Sequence, residues 1–194
     1  MATVTSSDAV EVMRRLEAEG YRPILIGGLA IEVAGYGGTK DVDILLPSAE
    51  YGGAEYLRSE GLTVLSNTGN FTNGHLQLPG GRTVVWDVLN PDLFGGEPFY
   101  EFVRSRASKA WVVGRIAAPP VVYYTRLLVK GDHGRRYMLR IRRDLDEGAP
   151  DSWVRGTIAI AKRFGTEATV LPKVDAIFKE RRRELGSGHR RTQG

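Results

Sequence analysis

The sequence contains no cysteine, which excludes a disulfide framework and any thiolate metal site. That absence suits a reducing compartment, and a cytoplasmic location is the expectation. Residues 1–13 lack a basic stretch followed by an apolar one, so no secretory signal is expected. Apolar runs reach only about ten residues, against the roughly twenty needed to cross a bilayer, so no membrane partner is expected. Histidine is scarce. His75 and His133 read as surface or hydrogen-bonded residues rather than ligands. No internal repeat is visible.

What is present is ordinary for a soluble globular chain: 194 residues, 42% hydrophobic and 26% charged. The charge is unevenly placed. Residues 1–103 carry 6 Lys/Arg and 14 Asp/Glu, a balance of −8; residues 104–194 carry 21 and 9, a balance of +12. Carboxylates in one half suit a metal, and cations in the other suit a polyanion, although a solvated basic surface explains the second equally well.

Local patterns divide the chain at a similar place. Asp8 and Glu11 are spaced like a capping box, with Val10, Met13 and Leu16 on one apolar face, which predicts a helix over 7–19 ended by Gly20. Residues 22–26 read as a buried strand broken by Gly27-Gly28, and 29–34 as a helix. Strands are expected at 41–46 and 62–66, with a helix from Ser48 to about 59 between them. Residues 67–74 carry turn chemistry, and 75–78 with 82–89 read as a hairpin. Residues 90–98 read as a loop, 99–109 as helix or irregular chain, and 111–116 as a last strand. Helices follow at 119–130, 136–147, 151–163 and 172–184. The fold class is therefore α+β: a mixed sheet flanked by helices, then a C-terminal helical part. The expected division is a core over 1–117, a helical extension over 118–184 and a disordered tail over 185–194. Trp86, Trp111 and Trp153 read as packing residues. Tyr36 lies near the glycine pair, where packing and ligand contact are equally open.

Chemistry concentrates in two segments. Asp41 and Asp43, at i and i+2 of a strand, share a face. Two neighbouring carboxylates repel unless a cation lies between them, and Mg²⁺ (or Mn²⁺) prefers such oxygen ligands. Asp87 sits inside the apolar run Val84-Val85-Trp86-Asp87-Val88-Leu89, where an unpaired carboxylate is costly. A strand–Gly–Gly–helix turn at Gly27-Gly28 lets backbone amides approach an anion. Each feature alone is weak; their order and spacing are sharper.

Ile26-Gly27-Gly28, then Asp41-Val42-Asp43-Ile44, then Asp87 resembles the pattern of the DNA-polymerase-β-like nucleotidyltransferase superfamily over residues 22–90. Ala118-Pro119-Pro120, Arg126-Leu127-Leu128 and Arg143-Asp144-Leu145 look like the helical part of small bacterial members, including abortive-infection-type toxins of the AbiEii and MenT groups. Those proteins often have Lys where Arg126 stands, and Ser where Gly28 stands. The resemblance implies a nucleotidyltransferase fold and transfer of a nucleoside monophosphate, for example from ATP, with release of pyrophosphate. It implies metal binding and catalysis by Asp41, Asp43 and Asp87. Nucleotide contact would fall to Gly27, Gly28, Lys40, Arg126 and Lys130. It also raises a toxin–antitoxin setting with a cognate antitoxin as partner.

Residues 126–143 contain seven Lys/Arg and one acid, Asp132. Arg136, Arg140 and Arg143 form a stripe away from the apolar face Met138, Ile141 and Leu145, and are candidates for RNA or phosphate binding. Val121, Tyr124 and Leu128 make the matching apolar face of the preceding helix. Lys179 and Arg181–Arg183 look like a solvated helix end. The acceptor stays open between RNA (tRNA among them), an aminoglycoside- or lincosamide-type antibiotic, and a protein hydroxyl. A non-catalytic nucleotide- or RNA-binding protein is the alternative of another class. Sequence does not address oligomeric state.

Overall fold

Thr5 begins the first helix. Its hydroxyl accepts from the Asp8 amide, and the Asp8 carboxylate accepts from the Thr5 amide at 2.7 Å, a complete capping box for α1 (Ser6–Ala18). The cap thus lies one turn before the expected Asp8/Glu11 pair; Glu11 instead accepts from Arg14 and Arg15. The buried face is Ala9, Val12, Met13 and Leu16: Met13 and Leu16 lie on it as expected, while Val10 is only half-buried. The computed structural model describes residues 4–36, 41–54, 62–67, 71–78, 81–108 and 115–188. Expectations for Lys40, for Trp111 and for residues 189–194 lie outside these.

Among the described residues, six strands form one mixed sheet: β1 (Ile24–Ile26), β2 (Val42–Leu45), β3 (Leu62–Asn67), β4 (Phe71–Gln77), β5 (Thr83–Leu89) and β6 (Arg115–Ile116). Their order is β3-β4-β5-β2-β1-β6. β2 runs antiparallel to β1 and parallel to β5, while β6 runs parallel to β1. The hairpin is β4–β5, as its turn chemistry predicts. β4 begins at Phe71, inside the stretch expected to be turn, because Thr72 and Leu76 alternate onto the buried face although Gly and Asn interrupt them. The central strand β1 is wholly buried, which is why it reads as a continuous apolar run, whereas β2 carries half-buried Asp43 between buried residues and reads as alternating.

Helices α2 (Gly27–Val33), α3 (Ser48–Ala54) and α4 (Glu97–Arg106) accompany the sheet. The expected loop over 90–98 contains a 3₁₀ turn, Pro91–Phe94, capped by the Asn90 side chain. Tyr100 of α4 is buried and its hydroxyl donates to the Arg22 carbonyl at 2.8 Å, fixing the entry to β1.

The architecture is therefore α+β, a mixed sheet with flanking helices followed, among the described residues, by four helices: α5 (Pro119–Leu128), α6 (Gly131–Asp146), α7 (Asp151–Phe164) and α8 (Glu167–Gly188). The chain divides into two compact units, Met1–Val122 and Tyr123–Gly194, the division falling within α5. Inside the second unit, Gly134 lets α6 start close to the end of α5: a Cβ there would lie 2.3 Å from the Val129 carbonyl oxygen. Lys173 donates to the same oxygen at 2.6 Å. α8 starts before Pro172, earlier than expected, and continues to Gly188. Among the described residues, no helix is long and apolar enough to cross a membrane.

Candidate metal centre

Strand pairing assembles the acidic group. Asp43 lies in β2 with Ile26 as its partner on one side and Asp87 of β5 on the other. Asp41 stands two residues earlier, just before β2 begins. Residues two apart on a strand share a face. Each of the three offers a carboxylate oxygen, and these oxygens lie within 4.8 Å of one another. All three side chains are half-buried, so they are partly dehydrated yet reachable.

Like charges that close raise the cost of ionisation. Burial, and after it the charge of Asp41, push the Asp87 carboxyl up to about 6 from an ordinary 3.8. A divalent cation would remove the repulsion, and a donor set of carboxylate oxygens alone fits a hard ion such as Mg²⁺ or Mn²⁺.

Gly27 has a positive φ of 76°, and its place beside Asp43 admits no side chain. A Cβ on Gly27 would lie 1.8 Å from Asp43 Oδ2 and 2.4 Å from its Cγ. The Gly28 amide donates to Asp43 Oδ2 at 3.3 Å. The glycine pair and the Asp-x-Asp strand, read in the sequence as separate halves of a site, are thus in direct contact. Gly27 leaves room for a carboxylate, and Gly28 helps orient it.

The remaining described candidate residues belong to the unit Tyr123–Gly194. Arg126 is buried in the helical unit, with Nη1 3.8 Å from Asp144 Oδ2 and its guanidinium 5.7 Å from the Tyr137 ring centroid. Asp144 also accepts from the Tyr123 hydroxyl at 2.9 Å. Burial raises the Asp144 carboxyl, and Tyr123, Arg126 and Arg140 pull it back. Lys130 is exposed at the N-cap of α6. Arg136 and Arg143 are exposed and Arg140 is half-buried, on the side of α6 opposite buried Ile141 and Leu145.

Asn73 did not stand out in the sequence, and His75 was read only as a surface or hydrogen-bonded residue. Asn73 of β4 is the direct partner of Asp87, and His75 is the partner of Val85. The signal for Asn73 was that a longer β4 would place it on the Asp87 face; His75 already lay in the expected strand. Trp86 is fully buried on the other face, and Trp153 packs edge-on against Tyr123 at 6.1 Å, both as packing residues.

No family model matches the sequence, and no curated protein matches it. Among solved structures, a tRNA nucleotidyltransferase complexed with a primer tRNA and an incoming ATP analogue is similar over 82% of this chain and 62% of its own, at 14% identity and a TM-score of 0.32. The chain therefore spans less than two thirds of that protein's length. A likeness at that score leaves the chemistry to be read from the residues themselves.

Proposed function

We propose that the protein is a divalent-metal-dependent nucleotidyltransferase, moving a nucleoside monophosphate from a nucleoside triphosphate to an acceptor hydroxyl. The observation that carries this reading is the convergence of Asp41, Asp43 and Asp87 within 4.8 Å beside a glycine that no other residue could replace without displacing Asp43. Asp41 and Asp43 would hold the metal that engages the triphosphate. Asp87, whose carboxyl is raised by burial and by the charge of Asp41, would complete the centre and take the proton of the attacking hydroxyl. Gly27 and Gly28 keep the backbone bare where a triphosphate would approach. Bound Mg²⁺ would polarise the α-phosphate and offset the charge of the departing pyrophosphate.

RNA is the acceptor class this reading favours. The exposed Arg136 and Arg143, with half-buried Arg140 between them, offer planar donors suited to a phosphate backbone. Arg126 is left out of the nucleotide site because its side chain is buried against Asp144. A toxin role with a cognate antitoxin rests on the sequence resemblance alone.

The test is incubation with each labelled triphosphate, Mg²⁺ and total RNA. Label in RNA that is abolished by chelation is the expected result. Triphosphate left intact with every acceptor and metal tried would remove the reading.

A further inference from the structure

The sheet face that carries the aspartates continues past Asp87 onto β4. Three cross-strand pairs stand there: Leu89 with Phe71, Asp87 with Asn73, and Val85 with His75. All six residues are half-buried, whereas those alternating with them in both strands, Thr72 and Trp86 among them, are buried on the other face. Directly opposed residues in an antiparallel pair have Cβ atoms about 5 Å apart. Asn73 is thus the lateral neighbour of Asp87 on the side away from Asp43, giving the fixed order Asp43, Asp87, Asn73 across the sheet.

The chemistry of this strip differs from that on the other side of Asp87. Apart from Asp87 it has no carboxylate and no Lys or Arg. A phosphate acceptor calls for cations, and a polycationic antibiotic calls for further carboxylates. The strip offers instead an amide that both donates and accepts, an imidazole, and a phenyl ring. That set fits an uncharged hydroxyl on a sugar that carries a flat base able to stack.

We infer that the half-buried face of β4 is the acceptor side of the centre, and that Asn73 orients the hydroxyl of a terminal ribose against Asp87. This rests on the nucleotidyltransferase reading above. In the step, the ribose oxygen forms a bond to the α-phosphorus while the bond from that phosphorus to pyrophosphate breaks. The hydroxyl proton passes to the Asp87 carboxylate, and pyrophosphate leaves with the electron pair of the broken bond.

The test compares the wild type with Asn73→Ala, Asn73→Ser and His75→Ala, using labelled triphosphate, Mg²⁺ and total RNA. Affinity for an α,β-methylene triphosphate with Mn²⁺ should be unchanged in all variants. For Asn73→Ala, RNA labelling should fall at least about tenfold, as a higher half-saturating RNA concentration or a lower turnover, with partial recovery in Asn73→Ser. His75→Ala should raise half-saturation alone. RNA whose terminal diols have been oxidised with periodate should accept no label. Normal RNA labelling by Asn73→Ala, loss of analogue binding in step with labelling, or label on oxidised RNA would each overturn the inference. If the wild type binds the Mn²⁺–analogue but labels only a small molecule or a protein, the inference fails and the proposed function stands. If it neither binds nor transfers, both fail.

Discussion

At Gly27 two demands coincide: a left-handed backbone with φ 76°, and a Cβ position occupied by the Asp43 carboxylate. Gly27→Ala is therefore expected to destabilise the fold by about 1–2 kcal/mol through the backbone alone. It should also turn the Asp43 side chain away, so that Mn²⁺ affinity falls more than the loss of stability explains. Calorimetric titration together with a melting curve separates the two effects. Asp43→Asn leaves the shape and replaces a strong metal ligand with a weak one. Turnover should fall by roughly a thousandfold or more, equivalent to several kcal/mol of transition-state stabilisation, with melting temperature nearly unchanged. Asp87 yields a prediction with a definite sign. Its folded carboxyl titrates at about 6 against an ordinary 3.8, so the folded state holds the proton more tightly than the unfolded chain does. The stability this contributes is complete below pH 3.8 and is lost as pH rises through 6. In a chelator, the wild type should therefore weaken across that window relative to Asp87→Asn, by on the order of 1–2 kcal/mol once solvent screening of a partly exposed group is allowed for. Mg²⁺ above about pH 6 should reverse the deficit. Parallel pH–stability profiles for the two proteins would show that the carboxyl is not strained.

Among the elements, the legible ones were those whose burial writes a pattern into the sequence. β1 is a short apolar run because both faces are covered, β2 alternates between buried residues and half-buried Asp43, and α7 has the periodicity of a helix with one buried face, Val154, Thr157, Ile160 and Ala161. The Asp-x-Asp pair and Asp87 were legible because charge inside such runs needs a reason. What escaped lay outside the local apolar patterns, some of it in pairings distant in sequence. The start of β4 was hidden by Asn and Gly residues that favour turns, and only pairing with β5 makes Phe71–Gln77 a strand. The true cap of α1 escaped because Thr5 lies outside the apolar periodicity. The burial of Arg126 beside Asp144 was not legible either, since a carboxylate on the next helix cannot be seen from a local window. The capping box carries its own expectation. Thr5→Ala removes the hydroxyl that accepts from Asp8, and should cost about 1 kcal/mol by chemical denaturation. Asp8, itself buried, also pairs with the partly exposed Arg82 beside the β4–β5 turn, so Asp8→Ala, which removes both this pair and its half of the capping box, should cost more than Thr5→Ala.

At the scale of the whole chain, the acidic and basic halves make separable claims, since the metal centre lies wholly in the unit Met1–Val122 and the arginine stripe wholly in Tyr123–Gly194. If the stripe on α6 holds an RNA backbone, binding should weaken steeply with salt, because each neutralised phosphate releases condensed counterions. Arg136 and Arg143 are exposed, so their replacement disturbs little packing; Arg140 is half-buried and bears on Asp144, so its removal should raise the Asp144 carboxyl slightly further. The variant Arg136→Ala/Arg140→Ala/Arg143→Ala should bind RNA more weakly with little dependence on sequence. Its plot of log affinity against log salt should flatten by about 0.7 for each phosphate of a single strand that the protein no longer neutralises. Binding of the Mn²⁺–triphosphate analogue should be preserved, because none of the three arginines belongs to the carboxylate centre. Filter binding across a salt series, with the analogue titration run beside it, checks both parts. An unchanged salt slope would reduce the stripe to solvated helix surface and move the search for the acceptor away from long polyanions, while leaving the carboxylate centre and its chemistry as they stand.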